Sequence, residues 1–145
     1  MIKPSIVTVI GLVLAGAAFA HSGVMNPVVK ARMDTMSAIG AEMKTLGQMA
    51  KGVTAFDGEA ARASTAAIAK LASAAPALFQ AKEDDPKSEA KIEIWNNFAD
   101  FTEKAKHLET VALELSTDIK AESDLAPAMK SLGEACQACH KPYRE

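Results

Sequence analysis

Of 145 residues, only two are cysteine, one is tryptophan and one is tyrosine. Two cysteines cannot build the multi-bridge framework of a disulfide-rich secreted domain. Glycine and proline are also scarce, at eight and six, and there is almost no run of β-branched residues, so a sheet-rich fold lacks its usual material. The basic and acidic side chains nearly balance, 16 Lys and Arg against 18 Asp and Glu. That gives no basic footprint for nucleic acid. Beyond residue 20 no stretch is apolar enough to span a membrane. Alanine and other good helix formers are abundant instead, and the chain reads as all-helical.

The start and the end carry the strongest signals. Met1-Ile2-Lys3-Pro4 is followed by an uncharged stretch from Ile6 to Ala20 that ends in Ala18-Phe19-Ala20. A short basic start, an apolar run and an A-x-A cut describe a secretory signal peptide over residues 1–20. Residues 21–145 then make one domain with one core. His21 becomes the new N-terminus; a terminal histidine can bind copper, but without partners it reads as a chain end.

Both cysteines fall in Ala135-Cys136-Gln137-Ala138-Cys139-His140. Cys-x-x-Cys-His is the attachment sequence of a c-type haem. Two thiols add to two vinyl groups of one porphyrin, and the adjoining imidazole binds the iron. On a helix, positions 136, 139 and 140 share one face. The competing readings are weaker. A static disulfide fits a helical Cys-x-x-Cys poorly, a thioredoxin-like site needs a preceding strand, and zinc needs a fourth ligand when only His21 and His107 remain. His107 reads as a surface residue of the third helix.

Apolar spacing predicts four helices between these ends. The first runs from about Pro27 to Lys51, with Asn26 as N-cap and Val29, Met33, Met36, Ile39, Met43, Leu46 and Met49 on its inner face. Gly52 closes it. The second covers Gly58 to Phe79 behind an Asp57 cap. Its inner face is Ala60, Ala63, Ala67, Ile68, Leu71, Ala75 and Leu78, with Pro76 kinking or shortening its end. Residues 80–87 form a charged loop. The third spans Ser88 to Lys120, buried through Ile92, Trp95, Phe98, Ala99, Leu108, Val111 and Leu115, with Phe101 and Ala105 alongside. The fourth begins near Pro127, capped from Ser123 or Asp124, and carries the Cys136–His140 motif.

Short connections make an antiparallel up-down-up-down four-helix bundle the economical arrangement. In it, the end of the fourth helix lies level with the start of the first, the end of the second and the start of the third. The haem therefore sits at one end of the bundle, with Phe79, Trp95, Phe98 and Phe101 expected near it and Phe56 at the other end. A flat apolar ligand needs such a wall.

The combination resembles the class II cytochromes c, the cytochrome c′ family, over essentially all of residues 21–145. The matching features are Cys136 to His140 followed by Tyr143-Arg144, Ile94-Trp95 with Phe101, and Arg32, Met36, Gly40 and Met43 in the first helix. Lys51-Gly52 and Phe56-Asp57 add the first linker. The resemblance implies a four-helix bundle with one covalent haem c, exported to the bacterial periplasm. It aligns Met36 with the residue that binds iron opposite His140 in the family's low-spin branch, with Met33 as the nearest competitor. Arg32 would pair with a haem propionate or lie on the surface as a solvated charge. Arg144 would tune the His140 side or lie on the surface. The function implied is electron transfer with periplasmic redox partners rather than an enzymatic reaction. The rivals are a high-spin cytochrome c′ that binds nitric oxide or carbon monoxide, and an exported helical protein without haem. The small alanine face of the second helix would permit a homodimer.

Overall fold

The computed structural model describes residues 23–145. The proposed signal peptide, its cut after Ala20, and His21 lie outside the described residues. Among the described residues five α-helices follow in order: α1 (Pro27–Ala50), α2 (Gly58–Leu78), the one-turn α3 (Glu93–Asn96), α4 (Phe98–Asp118) and α5 (Leu125–Tyr143). The four long ones form the expected bundle. α1 packs on α2, α2 on α4, α4 on α5 and α5 back on α1.

The helix ends are set by local chemistry. The Asn26 side chain accepts hydrogen bonds from the N–H groups of Val28 and Val29, and Pro27 occupies the first turn, where an N–H would be unpaired. Asp57 caps α2 in the same way through Glu59 and Ala60. Gly52 follows α1 at φ +66°, a left-handed conformation that glycine adopts without steric cost. Pro76 sits in the last turn of α2, which ends two residues later at Leu78. The expected cap at the start of α5 takes another form. Asp124 makes no side-chain bond into α5; its carboxylate accepts from the N–H groups of Lys120 and Ala121 and closes the preceding 3₁₀ turn, Glu122–Asp124.

Two expected faces are corrected. The third helix is not continuous from Ser88: Asn97, at φ −132° and ψ 47°, separates α3 from α4. The break resets the helical phase, so Ile94 is buried while Ile92 is 42% exposed. Downstream of it, Phe101, Ala105, Leu108 and Ala112 face inward, whereas Ala99 is exposed. In α2 the buried residues are Ala61, Ser64, Thr65, Ile68, Ala69, Ala72 and Ala75, so Ala63 faces solvent. With alanine on every side of this helix there is little polarity contrast to set its rotation. Thr65 goes inside because its hydroxyl bonds back to the carbonyls of Ala61 and Arg62.

The interior divides along the bundle axis. The larger cluster is aliphatic and alanine-rich, built around Leu46, Ile68, Ile119, Leu125 and Leu132. The smaller one, Phe79, Ile94, Phe101 and Tyr143, is mostly aromatic, with Trp95, Phe98 and Cys139 packed against it.

Candidate functional site

A cavity of about 570 Å³ lies at the aromatic end, within the range of small-molecule and cofactor sites. α5 brings Cys136, Cys139 and His140 to its wall, as their spacing requires. From α1 come Arg32, Met33, Met36, Gly40 and Met43. Phe79, Ile94, Phe101 and Leu108 complete the apolar lining, and Glu89, Lys104 and Arg144 add charge. Trp95 does not reach this lining. It stands behind Phe79, with ring centroids 6.5 Å apart, and its indole N–H donates to the Phe79 carbonyl at 2.8 Å. Trp95 thus braces the wall, and Phe98 does the same behind Phe101 at 5.9 Å.

Arg32 is not a solvated charge. It is 3% exposed, and its guanidinium clasps the loop after α2. Nε donates to the Leu78 carbonyl at 2.9 Å, Nη1 to Glu83 at 2.8 Å and Nη2 to Ala81 at 2.6 Å. Its Cζ lies 4.7 Å from the Phe79 ring centroid and 5.4 Å from that of Trp95, both within cation–π range. Three of its five N–H donors are therefore engaged by backbone. Burial pulls the Arg32 pKa down, and Glu83 and Asp84 oppose that pull.

Arg144 is exposed, and its Nε meets Glu89 at 2.5 Å. His107 is exposed on α4 and is not among the cavity residues, as expected. Lys104, Asp100 and Glu89 were not singled out by sequence reasoning, and Tyr143 entered only through the Tyr143-Arg144 match. Lys104 lies one turn beyond Phe101 on the same face, a signal that could have found it. The Tyr143 hydroxyl donates to Asp100 at 2.5 Å, and Lys104 lies 3.5 Å from the same carboxylate. The contact of Glu89 with the C-terminus spans 55 residues and leaves no local trace in the sequence.

The electrostatics suit an imidazole ligand and leave the unattached thiols protonated. Burial pushes the Cys139 thiol up to about 11, and Cys136 is raised for the same reason, so both are neutral thiols at pH 7. Burial lowers the His140 pKa, Arg144 adds to the effect and Glu89 opposes it. A neutral imidazole keeps the lone pair that a metal needs.

The residues present fit a c-type haem. Two thiols and one imidazole share a wall, and apolar and aromatic side chains surround them. Gly40 lines the cavity, and a Cβ built there would meet no atom within 4 Å, so the α1 backbone stays open to a large flat group. The family model for Cytochrome C' matches residues 27–144.

The chain belongs to the cytochrome c′ family.

Cytochrome c-556 from Agrobacterium tumefaciens (strain apple 185) is 37% identical over 115 residues, covering 79% of this chain and 91% of that protein. The structure of oxidized R. palustris cytochrome c556 superposes with a TM-score of 0.76 at 27% identity, covering 82% of this chain and 96% of that one. Cytochrome c′ from Rhodopseudomonas palustris gives 0.77 at 28%, covering 83% and 97%. The protein is therefore a class II c-type cytochrome, and its cofactor is haem c, covalently joined through Cys136 and Cys139. Among the described residues no helix is long and apolar enough to cross a membrane.

Proposed function

We propose that this cytochrome is a periplasmic electron carrier whose iron is held between His140 and Met36. One observation carries the reading: α1 and α5 are neighbours, and Met36 and His140 line the same cavity. The likeness to cytochrome c-556 agrees with the branch ligated by histidine and methionine. Bound haem c supplies a one-electron couple between ferric and ferrous iron.

The protein's own groups do the rest. His140 presents a neutral nitrogen. The Met36 thioether is a soft ligand, and sulfur of that kind favours the ferrous state and raises the potential. His140 and Met36, if both stay bound in the two oxidation states, would keep reorganisation small when haem is present. Phe79, Ile94 and Phe101 exclude water, which disfavours the more highly charged ferric form. Arg32, with three donors on carbonyls, holds α1 to the loop after α2; two remaining N–H groups are the donors it would offer a propionate.

The visible spectrum tests the reading. A low-spin ferric protein that turns high-spin in Met36→Ala supports it. If Met36→Ala leaves a low-spin spectrum intact, the ligand is Met33. A high-spin ferric protein that binds carbon monoxide freely once reduced is the gas-binding alternative and overturns the electron-carrier assignment. Removal of residues 1–20 and export are part of the proposal, and the mass of the protein recovered from the periplasm checks them. Exposed Ala63, Ala66, Ala74 and Ala77 on α2 allow a second copy to approach closely, and sedimentation of the mature protein reads whether a homodimer forms.

A further inference from the structure

Three residues after His140 the chain leaves α5 and meets a strap formed by residues 88–91. Ala90 and Arg144 form an isolated antiparallel bridge. The Lys91 N–H donates to the Tyr143 carbonyl at 3.0 Å, and the Glu145 N–H donates to the Glu89 carbonyl at 3.0 Å. At the centre of this bridge the Arg144 Nε sits 2.5 Å from a Glu89 carboxylate oxygen. Arg144 is also tied to the ligand's own residue, since its N–H donates to the His140 carbonyl at 2.9 Å. Ser88, Glu89, Ala90, His140 and Arg144 all line the cavity. The strap and the end of α5 therefore close the His140 side, where Glu89 and Arg144 place one anion and one cation on the cavity wall, with Lys104 the other charged residue of the lining besides Arg32.

We propose that Glu89 is a tuning residue of the haem site, its carboxylate cancelling the charge of Arg144 beside His140 so that neither charge alone shifts the reduction potential. This rests on the reading that His140 binds the haem iron. The argument is one of sign. Oxidation adds one positive charge to the site, so a nearby carboxylate stabilises the ferric form and a nearby guanidinium stabilises the ferrous form. As a close pair the two nearly cancel. Removing either leaves the other unopposed, at a position roughly half exposed, 53% for Arg144 and 55% for Glu89, where salt screens the remainder.

The fold does not depend on this contact, because exposed ion pairs contribute little to stability and the two backbone bonds of the bridge remain. The test is potentiometric titration of four holoproteins at low ionic strength: wild type, Glu89→Gln, Arg144→Gln and the double variant. Glu89→Gln should raise the potential, Arg144→Gln should lower it, and the double variant should return close to wild type. Glu89→Asp, which keeps the charge, should hold the wild-type value, and both single shifts should shrink as salt is added. If both single variants move the potential in the same direction, the strap acts only by shielding His140 from water, and the proposal is overturned. No shift in either variant overturns it equally. Failure of the underlying reading looks different: the visible spectrum of a His140→Ala holoprotein would then match that of wild type.

Discussion

Replacing Arg32 by methionine keeps the length and apolar stem of the side chain and removes all three of its bonds to the loop. A hydrogen bond to a charged group contributes about 1.5–3 kcal/mol, so the three together reach at least 4.5 on simple addition. Two effects reduce that figure. Ala81 and Glu83 are exposed residues, so their carbonyls regain water once Arg32 lets go. The guanidinium is itself desolvated, as its lowered pKa records, and methionine escapes that cost. Loss of the stacking on Phe79 and Trp95 adds back about 0.5–1 kcal/mol. The net expectation is a loss of about 3 kcal/mol. With a urea dependence of about 1.5 kcal/mol per molar, the unfolding midpoint should fall by about 2 M. Far-UV circular dichroism of the mature holoprotein measures it directly. Arg32→Lys keeps the charge with fewer donors and should lie between the two. A midpoint change below about 0.5 M in Arg32→Met would equal the effect of an exposed ion pair and would refute the clasp.

Two titrating groups give predictions of opposite pH sense. The Asp85 carboxylate is 6% exposed and accepts from the N–H groups of Met25, Asn26 and Lys87, which hold its pKa below the usual value. A depressed carboxylate contributes stability above its unfolded pKa, and that contribution is lost as pH falls through the folded value. Asp85→Asn should therefore lower the thermal midpoint at pH 7 and flatten its dependence as pH falls below about 4; identical acid profiles for the two proteins would refute this. Tyr143 is raised to about 12 by burial and by its bond to Asp100. The unfolded chain releases that proton near pH 10, so stability should drop between there and the folded value. Tyr143→Phe should abolish that step of an alkaline stability profile while losing one hydrogen bond to a half-exposed carboxylate, about 1.5 kcal/mol, at neutral pH.

Much of the molecule was readable wherever local chemistry decides. Asn26, Asp57 and Gly52 announce helix ends because capping and left-handed turns depend on neighbours within three residues. Cys136, Cys139 and His140 announce their ligand because helical spacing alone sets them on one face. The rotation of α2 was not readable, since alanine presents the same surface to core and water. Nor was the break at Asn97, which no proline or glycine marks. The fate of Arg32 depends on carbonyls 46 to 51 residues away, and Glu89 finds its partner 55 residues on. Such pairings belong to the tertiary structure, and a periodic pattern carries no record of them.

The distribution of bulk in the core argues that this bundle is completed by its cofactor. Ala61, Ala69, Ala72, Ala112, Ala128 and Ala135 bring the helices together along the larger cluster, whereas Phe79, Phe101 and Tyr143 hold them apart at the other end. Phe101 meets Phe79 at 4.9 Å and Tyr143 edge-on at 5.5 Å, so the wall is rigid and cannot collapse inward cheaply. A dry cavity costs about 24 cal/mol per Å³. The 570 Å³ here is partly open to solvent, so that figure does not apply in full; what its walls lack without haem is the packing partner for their apolar side chains. Water entering past exposed Gly40 and Ser37 reduces that cost without restoring the apolar contacts. The variant Cys136→Ser with Cys139→Ser, which cannot hold haem covalently, should therefore keep helical far-UV dichroism while losing near-UV signal and a cooperative melt, the signature of a loosened core. A cooperative transition within a few degrees of the holoprotein would show instead that the alanine-packed cluster suffices to fold the chain by itself.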